Sequence, residues 1–246
     1  MVVYLALFIL QVLGAVGMTY EYKTGLYDPP DTFTAIRCRN REEWLARRKG
    51  GITGTGAPCV IGANPWRSNV EYWEIKTGRK EEPDLSGNEA VRLGTELEET
   101  IRQLFAIRYR DTYEMHYIPN AILQNNDYKH LLYSPDGLLQ EIGTSRRGLW
   151  ECKTHSMRGK ADRELWKDRV PSHYFYQVLH GLAVTGFDFA IITAALMYSD
   201  DYTAIKNYTI EAADFRDEIE DLTEASTDFW RYNVQAGRKP NRVFVI

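Results

Sequence analysis

Ser134-Pro135-Asp136-Gly137 is followed, fifteen residues after its aspartate, by Glu151-Cys152-Lys153. No other feature constrains the chain as strongly. Residues 137–142 and 148–153 read as the arms of a hairpin that turns over 143–147. Successive strand side chains alternate between faces, so Glu151 and Lys153 point together and Asp136 stands at the end of the preceding strand. An Asp, a Glu and a Lys meeting at one sheet edge are costly to bury unless a cation neutralises the carboxylates. Hard oxygen donors of this kind suit Mg²⁺ or Mn²⁺ and not zinc. A lysine beside such a metal can position an attacking water whose pKa the metal lowers, which is the chemistry of phosphodiester hydrolysis. The same residues also suit a salt-bridged strand pair behind a common Asp-Gly turn, and by themselves they leave both readings open.

The surrounding chain reads as one α/β domain. Asn40 caps a short helix through Glu42, Glu43 and Trp44 that ends at Gly50-Gly51. Residues 52–56 form a turn leading into a helix start near Pro58, and a further helix covers 70–77 before the charged loop 79–86. The longest helical pattern runs from Asn88 to about Arg108, with Val91, Leu97, Ile101, Leu104 and Phe105 as its apolar stripe. Glu98 lies close to that stripe and not opposite it. Strand-like runs cover 113–118, 121–124 and 130–134 ahead of the hairpin. After it come a helix over 173–185 ending at Gly186, paired strands over 189–198 and 202–210, and one closing helix over 212–235. No Pro/Gly/Ser linker divides these elements, so a single domain with a central mixed β-sheet flanked by helices is expected.

Composition removes several alternatives. Aromatic residues make up 13% of the 246, which excludes a disordered chain, and no 20–50-residue repeat points to a solenoid or propeller. Three cysteines, Cys38, Cys59 and Cys152, are too few for a disulfide framework or a four-cysteine iron–sulfur cluster, so a reducing, cytoplasmic setting is expected. The net charge of −4 gives no whole-protein attraction to nucleic acid, but charge is unevenly spread. Residues 36–49 carry +4, residues 211–228 carry −7 and residues 146–169 carry +4. The last of these segments is expected beside Lys153 as a DNA-backbone contact. Residues 2–16 are nearly all apolar, too short for a confident membrane span and without the positive start of a secretory signal. A buried element, a weak signal, or residues upstream of a true start at Met18 remain open, so 1–17 is set apart as an extension; no membrane is expected as a partner.

Asp136, fourteen intervening residues, then Glu151-x-Lys153 is the pattern of the PD-(D/E)xK nuclease superfamily, and its flanks narrow the choice. The chain closely resembles the phage lambda-type exonuclease, or YqaJ viral recombinase, family. The likeness runs from about Arg48 to Gly186 and includes Arg48-Lys49-Gly50-Gly51-Ile52-Thr53-Gly54-Thr55, Asn64-Pro65-Trp66, Gly94-Thr95-Glu96-Leu97-Glu98, Ser134-Pro135-Asp136-Gly137-Leu138, Glu151-Cys152-Lys153-Thr154 and Tyr174-Phe175-Tyr176-Gln177-Val178. It implies a restriction-endonuclease-like core over 18–246. It also implies two Mg²⁺ ions, replaceable by Mn²⁺, held by Asp136, Glu151, the Cys152 backbone carbonyl and Glu98, with Lys153 orienting the nucleophilic water and Gln177 holding a phosphate or water nearby. Arg48, Thr55 and Ser134 match the residues that hold a 5′-terminal phosphate; the family more often has Ser at position 55, and Thr keeps the hydroxyl. The implied activity is 5′-to-3′ degradation of one strand of linear double-stranded DNA, in phage-type recombination with a single-strand annealing protein. A ring-shaped homotrimer is implied as well. The rival readings are a structure-specific PD-(D/E)xK endonuclease and a catalytically inactive protein that binds DNA ends.

Overall fold

The computed structural model describes residues 22–23, 31–198 and 202–243, so the apolar run 2–16 and the 1–17 extension lie outside the described residues. β1 (Phe33–Arg37) and the helices α1 (Arg41–Lys49), α2 (Ala57–Val60), α3 (Asn69–Lys76) and α4 (Glu89–Arg108) come first. They are followed by β2 (Tyr113–His116), β3 (Ala121–Asn125), β4 (Leu132–Tyr133), β5 (Gly137–Glu141) and β6 (Arg147–Ser156). Then come α5 (Lys160–Leu165), α6 (Ser172–Thr185), β7 (Phe189–Met197), β8 (Thr203–Glu211) and a C-terminal helical stretch containing α7 (Arg216–Asp228). The main sheet has the order β2-β5-β6-β7-β8, with β6 and β7 parallel and every other pair antiparallel. A parallel pair needs a long crossover, and residues 157–188 supply it through α5 and α6.

β7, Phe-Ala-Ile-Ile-Thr-Ala-Ala-Leu-Met, is buried at all nine positions, as a strand covered on both faces should be. Ala190, Ile192, Ala194 and Leu196 join the core under α6 (Val178, Leu179, Leu182), whereas Phe189, Ile191, Ala195 and Met197 join Leu97, Ile101 and Phe105 of α4. The sheet is therefore sandwiched between these two helices. A second, smaller sheet, β1-β3-β4, is not separable from the main one by sequence pattern; β1 and α5 are not anticipated by it either. The loop before α2 is zipped onto β4, with Ile52 N–H on the His130 carbonyl (2.7 Å) and Leu132 N–H on the Ile52 carbonyl (2.8 Å). The approach is so close that a Cβ on Gly51 would stand 2.4 Å from the His130 oxygen.

Most element boundaries follow the expected caps. Asn40 Oδ1 accepts from Glu43 N–H, Asn88 Oδ1 accepts from Ala90 and Val91 N–H, and at α3 Ser68 Oγ accepts from Glu71 N–H. Two expectations need correction. The closing helix over 212–235 is broken into a 3₁₀ turn (Ala212–Phe215), α7 and a π-helical end (Phe229–Gln235). The widened turns accompany Phe229 stacking on Tyr72 at 5.9 Å and Trp73 Nε1 donating to the Asn233 carbonyl at 2.9 Å. The basic segment 146–169 does not form one patch either. Arg146 and Arg147 lie at the start of β6, with Arg146 tied to Glu141 and Glu211, whereas Arg158, Lys160, Arg163, Lys167 and Arg169 follow the other end of the strand.

Candidate active site

The β5–β6 hairpin sets the geometry. Gly137 pairs with Trp150, so Asp136 leads into the hairpin opposite Glu151, and its Oδ2 accepts the Cys152 N–H at 2.9 Å. Glu151 is 1% exposed and both its oxygens are engaged. Oε1 accepts from the Tyr133 hydroxyl at 2.5 Å, and Oε2 accepts from Lys153 Nζ at 2.9 Å and Gln177 Nε2 at 2.8 Å. Burial first, and then the charge on Asp136, push the Glu151 carboxyl up to about 7. Burial acts to lower the Lys153 pKa, but Glu151 and Asp136 outweigh it and hold the ammonium above its ordinary value. The Lys153 head stands 5.2 Å from the Tyr174 ring. The Cys152 thiol is raised well above its usual value by burial and by the neighbouring Asp136 and Glu98 charges, which makes it an inert side chain and not a nucleophile.

Glu98 reaches the same place from α4. Burial and the Asp136 charge raise it to about 7, against the opposing pull of Arg102 and Lys153. Its Oε1 accepts from Arg102 Nη2, one turn further along the helix. Among the described residues no three His, Cys, Asp or Glu side chains form a ready-made metal cage. The carboxylates act on one another through their charge while each is held by its own hydrogen bonds. Their chemistry nonetheless fits a hard divalent cation: two carboxyls are raised by burial and a shared neighbour, and a cation among them would relieve that surplus of negative charge.

A second cluster adjoins the first. Arg48 Nη2 donates to Thr55 Oγ1 at 3.2 Å, and its guanidinium lies 4.2 Å from the centre of the Trp44 ring. Trp44 Nε1 in turn donates to Ser134 Oγ at 3.1 Å. The structure thus brings Arg48, Thr55 and Ser134 together through a tryptophan that the sequence pattern marks only as a helix residue. Lys76 Nζ donates to the Arg48 carbonyl at 2.8 Å, at the C-terminal end of α1 where a cation is favoured. Burial, then the Arg48 charge, lower the Lys76 pKa to about 8. Among the described residues neither Arg48 nor Lys76 stands in an ion pair with a carboxylate; Glu82 acts on both, and Glu151 on Arg48, only through their charge at longer range.

The two clusters share a wall. Tyr133 reaches Glu151 while the next residue, Ser134, reaches Trp44. Gly54, in the loop before Thr55, lies against both Tyr133 and Gln177; a Cβ there would sit 2.7 Å from the tyrosine ring. His180 on α6 fastens that arrangement, its Nε2 lying 3.1 Å from the carbonyls of Ile52 and Leu132. With two acceptors facing it, this nitrogen carries the proton, and burial lowers the imidazole pKa to about 4, so it is neutral. His173, in the first turn of α6, is likewise lowered to about 4 by burial and by Lys153 and His155. Tyr133, Trp44, Arg102 and Lys76 contribute here without having been singled out from the sequence. Trp44 and Arg102 were within reach of a helical spacing argument, since each lies four residues from a singled-out partner (Arg48 and Glu98). Tyr133 and Lys76 carried no such signal.

Residues 43–188, well over half the chain, match the family model of the YqaJ-like viral recombinase domain. Over 202 residues the chain is 29% identical to the uncharacterized protein YqaJ of Bacillus subtilis (strain 168), an alignment that covers 82% of this chain and 59% of that relative's length. The fold is similar to that of LHK-Exo, an alkaline exonuclease from Laribacter hongkongensis, with a TM-score of 0.57 at 21% identity over 80% of this chain and 96% of that one. The structure of LHK-Exo in complex with dAMP gives a TM-score of 0.58 at the same identity and coverage.

Proposed function

Because the chain belongs to the YqaJ-like viral recombinase family, we propose that it is a Mg²⁺-dependent deoxyribonuclease that degrades one strand of linear double-stranded DNA from the 5′ end. The observation that carries this reading is the pair of consecutive residues Tyr133 and Ser134. One is bonded to the buried Glu151 of the carboxylate–lysine cluster, the other to the Trp44–Arg48 corner, so two consecutive residues tie the two clusters together, which supports reading one as the hydrolytic centre and the other as the site for a terminal phosphate. That LHK-Exo is an alkaline exonuclease supports the same class of reaction.

In this reading Asp136, Glu98, Glu151 and the Cys152 carbonyl would hold two Mg²⁺ ions, which Mn²⁺ could replace. When bound, such ions lower the pKa of water and stabilise the attacking and leaving oxygens of an in-line displacement. The chain's own residues do the rest. Lys153, kept charged beside Glu151, donates a hydrogen bond to the attacking water, and the Gln177 amide steadies Glu151 and the phosphate or water next to it. Arg48 offers a fork, and Thr55 and Ser134 offer hydroxyls, to the 5′-terminal phosphate left after each cut. The exonuclease unit comprises residues 18–246, its biological partner is a single-strand annealing protein in phage-type recombination, and it assembles as a ring-shaped homotrimer around DNA.

The test is digestion of linear duplex DNA with Mg²⁺, comparing 5′-phosphorylated with 5′-hydroxyl ends and both with a covalently closed circle, alongside Lys153→Ala. Loss of the linear substrate alone, faster with a 5′ phosphate and about a hundredfold or more slower in the variant, is the expected outcome. Nicking of the circle would make the protein an endonuclease on the same core, and no cleavage with Mg²⁺ or Mn²⁺ would make it a DNA-end-binding protein.

A further inference from the structure

Arg102 is a charged residue only 1% exposed, on the face of α4 that also buries Ile101 and Phe105. A guanidinium is expensive to bury unless every arm is occupied. Here Nε donates to the main-chain carbonyl of Asp136 at 2.8 Å, Nη2 donates to Glu98 Oε1 and Nη1 donates to Glu99 Oε2. Its plane lies 3.6 Å from the centre of the Tyr117 ring, with Trp150 at 5.9 Å and Tyr22 at 5.8 Å. Of the three acceptors only Glu99 is well exposed, with more than half its side-chain surface open; Glu98 and Asp136 belong to the carboxylate cluster.

The pattern of contacts exceeds what anchoring α4 would need. One rigid fork holds, at the same time, the side chain of one proposed metal ligand and the main chain of another, although the two come from different elements, α4 and the lead into β5. It engages Oε1 of Glu98, and it takes the Asp136 backbone and not its carboxylate. We infer that Arg102 is a positioning residue for the divalent-metal site, fixing Glu98 and Asp136 relative to one another before metal arrives. This rests on the reading of those two carboxylates as metal ligands. Groups that orient metal ligands in this way are commonly worth about ten- to a hundredfold in affinity. A lysine could keep the charge but could span only one of the two partners.

The test is Mn²⁺ binding to the full chain, followed by the loss of the free-ion signal in electron paramagnetic resonance, for the wild type and Arg102→Lys. A dissociation constant weaker by about ten- to a hundredfold, in a variant whose circular dichroism matches the wild type, is the expected result. A merely structural arginine would leave the affinity of a folded variant within about threefold, and that outcome overturns the inference while leaving the metal reading intact. Absence of Mn²⁺ binding by the wild type would overturn both. Should Arg102→Lys fail to fold, Tyr117→Leu decides by the same measurement. It withdraws the ring beneath the guanidinium and spares its hydrogen bonds, so a weakening of about three- to tenfold supports the inference and an unchanged affinity refutes it.

Discussion

His180 offers the sharpest test of how the two clusters are held together. It is wholly buried, and its neutral ring donates through Nε2 to the Ile52 and Leu132 carbonyls, joining the loop that carries Thr55 to the strand that leads to Ser134. Its pKa falls from an ordinary 6.5 to about 4 on folding, because burial penalises the imidazolium. A depressed base contributes stability in full above the unfolded pKa and loses it as pH drops toward the folded one. The window is therefore pH 6.5 down to about 4, and the full loss is about 3 kcal/mol at 1.36 kcal/mol per pH unit. The perturbation that isolates this group is His180→Gln, whose amide has two N–H donors for the two carbonyls and cannot be charged. At pH 7.5 the variant is expected to be about 1 kcal/mol less stable through imperfect packing. At pH 4.5 the order should reverse, with the variant more stable by about 1–2 kcal/mol, because only the wild type bears the cost of charging or excluding a proton. Urea unfolding at both pH values reads the difference directly. A gap between the two proteins that stays constant from pH 7.5 to 4.5 would refute the assignment of a buried neutral imidazole at this junction.

Two further substitutions probe the shared wall. Trp44→Ala removes the ring beneath Arg48 and the donor to Ser134, so the proposed preference for 5′-phosphorylated over 5′-hydroxyl duplex ends should fall about tenfold in initial digestion rates, and Trp44→Phe should keep part of it; an unchanged preference in the alanine variant would detach Trp44 from the proposed phosphate pocket. Gly54→Ala places a methyl 2.7 Å from the Tyr133 ring and 3.2 Å from Gln177 Cγ, both partners of Glu151, and should cost about 1–3 kcal/mol in thermal unfolding together with a loss of cleavage; a variant as stable and active as the wild type would show that the loop is free to move off Tyr133.

Whether a feature is legible in the sequence depends on whether it is local. Periodicity and caps are local, so α4 from Asn88 onward, the Gly137–Lys153 hairpin and the Gly186 stop after α6 stand clear in the sequence. The Asp136, Glu151 and Lys153 convergence follows from strand alternation alone. The π-helical end of the closing stretch, by contrast, packs on Tyr72 and Trp73, which lie far away in the chain, and no local pattern carries that information. The split of the basic segment has the same origin. Charge can be summed along the chain, but β6 is ten residues long and carries Arg147 and Lys153 to separate parts of the sheet.

The order of residues along the chain therefore dictates the chemistry on offer: carboxylates and a lysine at fixed strand spacing, a glutamate beside an apolar helical stripe, and an arginine and hydroxyls of the kind that hold phosphate. Packing settles which of these meet, and on what terms. Residues 18, 26 and 34 positions apart in sequence, Tyr133 with Glu151, Gln177 with Glu151 and Arg102 with Asp136, came into hydrogen-bond contact through the parallel crossover and the α4 packing. Burial, which no sequence window reports, then raised two carboxyls to about 7 and lowered two imidazoles to about 4, because desolvation acts on a group only after the chain has closed around it.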